Sequence, residues 1–272
     1  MLADLKKWTR DRMIRGLGIS ALQAENRRLL QTVKKNEARL DSLIHMVGRM
    51  YLQDAEGSAL TPQEKAWFGK HGFRYIIHHL DENWERTRLP IWDTLLSLIP
   101  QTSSACEFGA NIGANLKAIR RLRPDIVLTG IELNPIAVDL LEEENFAAKQ
   151  GSIADTDLGE QFDLVFSRGV LIHIKPSDLG RVLRNMAAHS RRYVLIYENF
   201  SEQMHSLDRY AKSVTKTTGL ESEGYQFWGD FSQEFKSIFP EWTVVGTGVD
   251  LRVGQAPAEG DLHWTIFERP SA

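Results

Sequence analysis

Apolar residues recur along the chain in three rhythms, and each predicts a different kind of element. From Ile19 to Met50 the spacing alternates three and four, through Ile19, Leu22, Asn26, Leu29, Val33, Asn36, Leu40, Leu43, Val47 and Met50, with no proline inside. This is a heptad seam. Its a positions are mostly β-branched with one Asn and its d positions mostly leucine, which predicts a parallel two-stranded coiled coil and a homodimer through residues 19–50. A long amphipathic helix lying on the chain's own globular part is the alternative. The second rhythm is the short unbroken apolar run that suits a strand buried on both faces of a parallel sheet. Such runs end at Glu107, cover Ile126 to Ile131, open the stretch Phe162 to Ile174 and fill Tyr193 to Glu198, and a shorter strand is expected over Ala147 to Ile153. The third is the helical spacing between those runs.

Helices are expected from Thr61-Pro62-Gln63-Glu64, whose threonine, proline and glutamate form an N-terminal signature, and from about Asp81 to Ile99. Further ones should reach about Leu122, run from Asn134-Pro135 to about Lys149, and cover Asp178 to His189 and Ser232 to Ile238. The chain closes with Trp242 to Asp250 and Leu262 to Glu268, separated by VGQAPAEG, which reads as an antiparallel hairpin. The fold class is therefore α/β and Rossmann-like: a seven-stranded, mostly parallel sheet with a C-terminal antiparallel hairpin, plus the N-terminal helical coiled coil. Three parts follow: 1–53 as the coil, 54–100 as linker and lid helices, and 101–272 as the α/β domain.

The chemistry centres on Ala105 to Asn134. A strand ends at Glu107, and Gly109-Ala110-Asn111-Ile112-Gly113 turns into a helix. Glycines permit the sharp turn and close backbone approach, and the helix N-terminus presents unpaired N–H groups to a ligand. Glu132, at the tip of the next strand and 25 positions after Glu107, is placed to accept hydrogen bonds from two ribose hydroxyls. Asn111 stands where a dinucleotide site usually has its middle glycine, and no Gly-Lys-Ser/Thr serves a triphosphate.

By Ile174 four segments stand in order: EFGANIG, IELNP, QGSI and FDLVFSRGVLIHI. Together they resemble class I S-adenosylmethionine-dependent methyltransferases over roughly residues 61–272. The text is closer still to pseudaminic acid biosynthesis-associated methylases. The marks are Trp67-x-Gly69 with Gly72 and Tyr75, EFGANIG with Asn115, SRGVLIHI, and DLHW before the last apolar strand. Two departures concern the acceptor: His78-His79 stand where that group tends to have Arg-Asn, and the fifth strand ends YENF. The resemblance implies S-adenosylmethionine as cofactor. It assigns Gly109, Asn111 and Gly113 to the methionine and ribose side, Glu132 to the ribose hydroxyls, Ser152 and Ile153 to the adenine edge, and Arg168 and Gly169 to the methionine end. It also implies that Trp67 and Tyr75 belong to a lid, where the residues alone fit packing equally well.

A hydroxyl acceptor needs its proton removed. His173, just after the fourth strand, is the first candidate for that base, with His78, His79, Glu198 and His205 behind it. No metal-ligand spacing occurs, and the single Cys106, within the first strand, reads as a small buried hydrophobe. The acceptor implied by the resemblance is a sugar or surface-glycan precursor such as a nonulosonic acid, O-antigen or capsule unit. A natural product or quinone is the alternative, and an inactive coiled-coil scaffold is a third reading. A short-chain oxidoreductase would need Tyr-x-x-x-Lys, which Tyr75, Tyr193 and Tyr197 lack.

Composition changes this picture little. With 42% hydrophobic and 25% charged residues the chain is that of an ordinary globular protein, and a net charge of −3 gives no basic footprint for nucleic acid. Residues 1–17, with five Lys and Arg among Leu2, Leu5, Trp8 and Met13, fit either a weak contact with an anionic membrane surface or a frayed helix end. The absence of an apolar leader or spanning run leads to a cytoplasmic expectation.

Overall fold

The computed structural model describes residues 60–80, 83–206, 226–250 and 260–271. The predicted coiled coil at 19–50 and the basic segment 1–17 lie outside the described residues. Three helices come first: α1 (Pro62–Phe68), α2 (Lys70–His79) and α3 (Trp84–Leu98). The α/β part then runs β1 (Ser104–Phe108), α4 (Ala114–Leu122), β2 (Val127–Glu132), α5 (Pro135–Glu143), β3 (Ala147–Gln150), β4 (Phe162–Arg168), a 3-10 turn (Leu171–His173), α6 (Pro176–His189) and β5 (Ser190–Asn199). It ends with the small pair β6 (His205–Ser206) and β7 (Phe227–Trp228), then α7 (Phe231–Ile238), β8 (Thr243–Asp250) and β9 (Leu262–Glu268). No helix among the described residues is long and apolar enough to cross a membrane.

The seven-stranded sheet has the order β3-β2-β1-β4-β5-β9-β8. β1, β2, β3, β4 and β5 pair in parallel, while β9 runs antiparallel to both β5 and β8. The hairpin expected from the last two apolar runs therefore forms, with β9 inserted between β5 and the edge strand. The order reverses at β1 and β4, so the carboxyl ends of those two strands diverge into a crevice, the usual place for a ligand in an open parallel sheet.

Both faces are covered, as the unbroken apolarity of β1, β4 and β5 requires. On one face Trp92 and Leu95 of α3, with Ile99 just after it, meet Leu116 and Ile119 of α4 over Leu164, Phe166 and Tyr197. On the other, Leu179, Val182, Leu183 and Met186 of α6 pack with Phe235 and Trp242 over Cys106, Phe108, Val165 and Val194. Each such fully buried side chain contributes about 1.5–3 kcal/mol relative to exposure. Cys106 is the small buried hydrophobe its setting suggested, and burial pushes its thiol pKa up.

Local departures from the expected elements have identifiable causes. The helix after Asn134 stops at Glu143, short of Lys149, because Asn145 takes φ 59° and turns Phe146 into the core beneath the Arg120 guanidinium. β3 ends at Gln150, not at Ile153, because the chain turns there and Ser152 bonds back to the Thr156 backbone N–H through its carbonyl. The N-terminal helical signature is a complete capping box on Thr61 and Glu64, yet the helix breaks at Gly69 into α1 and α2.

Candidate active site

The glycine turn is built from positive φ values. Gly109 stands at 80°, Asn111 at 45° and Gly113 at 76°, the region where glycine is free and Asn is tolerated. The backbone N–H groups of Gly109 and Ala110 both donate to the Ile131 carbonyl, at 2.8 and 3.0 Å, fastening the turn to β2. A Cβ on Gly109 would come within 2.8 Å of both Val170 methyl carbons, so the turn packs closely on the loop after β4.

Glu132 is clamped by the same turn. Its Oε2 accepts the Asn111 backbone N–H and its Oε1 the Asn134 backbone N–H, each at 2.8 Å. Burial pushes its pKa up, while the N–H groups of Asn134, Asn111 and Leu133 favour the ionised form. A carboxylate offers about four lone-pair sites, so capacity remains for two hydroxyls on the side facing the cavity.

Beneath the turn lies a residue whose role the sequence did not suggest. Glu107 is almost wholly buried; its Oε1 accepts from Asn115 Nδ2 at 2.6 Å, and Asn115 Oδ1 accepts from Trp92 Nε1 at 3.1 Å. Its Oε2 makes no hydrogen bond. Burial pushes its pKa up to about 8, against the Asn115 hydrogen bond and the nearby guanidinium groups of Arg168 and Arg88, and with Glu132 adding to the rise. Arg88 was also unforeseen: it lies on α3, outside every motif, yet lines the same cavity.

The remaining expected residues converge on this cavity, whose walls include Trp67, Tyr75, Ser152, Ile153, Gly169 and His173. The α1–α2 pair lies across it, anchored by Asn134 Nδ2 donating to the carbonyls of Trp67 and Phe68 at 3.0 and 3.3 Å. Trp67 meets His173 edge-on at 4.5 Å and Tyr75 at 5.3 Å, and Tyr75 stacks on His79 at 3.9 Å. Gly169 takes φ 66°, and a Cβ there would meet nothing within 4 Å, so the space above it is open. Arg168 contributes its side chain as well as its backbone: the guanidinium lies 4.6 Å over the Tyr197 ring and 3.5 Å from Asp250, which also accepts the Tyr197 hydroxyl proton.

Glu198, one of the base candidates, does not line the cavity. It is buried beneath the 3-10 turn, where it accepts from Ser167 Oγ at 2.9 Å and from the backbone N–H groups of residues 170–172. Burial pushes its pKa to about 7 against those bonds. Its work is to hold the turn that presents His173. The side chains of His78 and His205 lie outside the described residues.

A family model of a methyltransferase domain matches residues 70–235. The chain belongs to this methyltransferase family. None of the curated proteins matches it. Among solved structures, this methyltransferase is similar to magnesium protoporphyrin IX methyltransferase from Synechocystis PCC 6803 with bound S-adenosylhomocysteine, at TM-score 0.54 and 11% identity over 76% of this chain and 97% of that one. It is also similar to 1,6-didemethyltoxoflavin-N1-methyltransferase of Burkholderia thailandensis, at TM-score 0.52 and 16% identity over 76% and 85% of the two chains. The sugar N-methyltransferase KedS8 from Streptoalloteichus sp ATCC 53650 gives TM-score 0.51 and 14% identity over 73% and 93%. At these identities the likeness is one of fold.

Proposed function

We propose that this S-adenosylmethionine-dependent methyltransferase O-methylates a sugar or surface-glycan precursor, of the kind used in nonulosonic acid, O-antigen or capsule assembly. The observation that carries the cofactor side is the Glu132 clamp beside the buried, unpartnered Glu107 oxygen. The first suits a pair of ribose hydroxyls and the second an ammonium group. Gly109 and Gly113 let the backbone approach, Asn111 fixes the Glu132 clamp, and Gly169 leaves room at the methionine end. The cofactor supplies a methyl group on a sulfonium, a good leaving group, so most of the rate comes from holding the acceptor oxygen in line and close.

In this reading Trp67 and Tyr75 on the α1–α2 pair cover the cofactor and exclude water. His173, held edge-on by Trp67 and presented by the turn that Glu198 secures, takes the acceptor's hydroxyl proton. Arg168 and Lys175, both on the cavity wall, suit a carboxylate- or phosphate-bearing sugar. A small aromatic acceptor such as a quinone is the second reading, favoured by the Trp67, Tyr75 and His79 rings. Supplying nucleotide-activated acidic sugars and a quinol panel with methyl-labelled cofactor, and following label in the acceptor fraction, separates the two. Label on quinols and none on sugars would overturn the glycan reading.

A further inference from the structure

Two polar side chains on the first turn of α1 face the cavity, although neither belongs to the glycine turn or to the strand ends. Glu64 uses Oε2 to accept the Thr61 backbone N–H at 2.7 Å, closing the capping box. Its other oxygen, Oε1, accepts the hydroxyl proton of Ser152 across the cavity, 88 positions away in sequence. Ser152 Oγ in turn accepts the Ala154 backbone N–H at 3.2 Å. The single Ser152 proton is thus committed to Glu64, and the carboxylate keeps acceptor capacity. Beside it, Gln63 is buried, lines the same cavity, and leaves its Nε2 without a hydrogen-bond partner. A buried amide donor left unmet is costly, and a ligand acceptor would relieve it.

We propose that this turn reads the edge of the adenine ring: Glu64 accepts from the exocyclic amine, and Gln63 Nε2 donates to a ring nitrogen. The inference rests on the S-adenosylmethionine reading above and adds how the base is told from others. Adenine offers a donor beside an acceptor, and a carboxylate next to an amide nitrogen is the complementary pair. Hypoxanthine puts a carbonyl oxygen where the amine stood, facing the carboxylate. Ser152 is the residue that positions Glu64, its own proton being spent. Because Glu64 also caps α1, the bound base and the start of the helix pair over the cavity share one carboxylate.

The test is calorimetric titration of the full chain with S-adenosylhomocysteine and with S-inosylhomocysteine. The wild type should prefer the adenine ligand by at least about tenfold, and Glu64→Gln should bring the two within about threefold. Gln63→Met should weaken S-adenosylhomocysteine about fivefold without lowering the thermal midpoint, since it removes an unmet donor; a merely structural role would lower the midpoint and spare the affinity. Thr61→Ala, which removes only the hydroxyl cap, should keep the wild-type preference. An unchanged preference in Glu64→Gln, or equal wild-type binding of both ligands, overturns this inference alone. No wild-type binding of S-adenosylhomocysteine overturns it together with the cofactor reading.

Discussion

Replacing Glu107 by glutamine isolates one buried charge at the heart of the site. The Gln carbonyl oxygen can still accept from Asn115 Nδ2, so the Trp92–Asn115 chain of hydrogen bonds is retained and only ionisation is lost. In the wild type, burial raises the Glu107 pKa to about 8 from an ordinary 4.5. Between those two pH values the folded protein holds a proton that the unfolded chain has released. Stability from this group is therefore full below about pH 4.5 and falls as pH rises to about 8, beyond which it is flat. The gap corresponds to a ceiling of about 5 kcal/mol, reduced in practice as the interior relaxes around the charge, so a difference on the order of 1 kcal/mol or more should be visible. Glu198, also raised, to about 7, acts equally in both proteins and cancels in the difference. Urea unfolding from pH 5 to pH 8.5 should show Glu107→Gln gaining on the wild type as pH rises. A stability difference independent of pH would refute the reasoning.

Three further outcomes follow from the same geometry. Glu132→Ala removes both oxygens of the ribose clamp and should weaken S-adenosylhomocysteine binding by about tenfold or more, read by calorimetry. Gly72→Ala would place a Cβ 1.8 Å from the Trp67 carbonyl oxygen and 2.8 Å from Asn134 Nδ2, so it should cost about 2 kcal/mol or more in thermal unfolding; a wild-type midpoint would contradict the close approach. The heptad seam of residues 19–50 predicts a dimer mass for the full chain in light scattering and a monomer mass once those residues are deleted. A full-length monomer would sink the coiled coil.

The middle of the sheet was legible because β1, β4 and β5 are buried on both faces and therefore carry long apolar runs. Leu262 to Glu268 was read to the residue, and β5 differs by the polar start Ser190-Arg191-Arg192 and by the polar end residue Asn199, which apolar periodicity does not mark. Boundaries governed by one backbone angle escaped. Nothing apolar announces that Asn145 turns left-handed, so α5 was expected to run on. The glycine turn and Glu132 were visible because their chemistry depends on neighbours within one βαβ unit. The links made across the cavity, Glu64 to Ser152 and Asn134 to the Trp67 carbonyl, join residues more than 60 positions apart, and spacing carries no trace of them. Glu64 in particular satisfies a local rule, the capping box, which explained it completely without the cavity. Glu198 shows the converse, a carboxylate near the site by sequence whose burial assigns it to the backbone.

The central claim is that the clamped glycine turn holds the adenosyl group of a methyl donor. Calorimetric titration of the purified chain with S-adenosylhomocysteine, with NAD as control, tests it most directly. The account predicts micromolar binding of S-adenosylhomocysteine and none of NAD. Binding of NAD alone, or of neither, would contradict it.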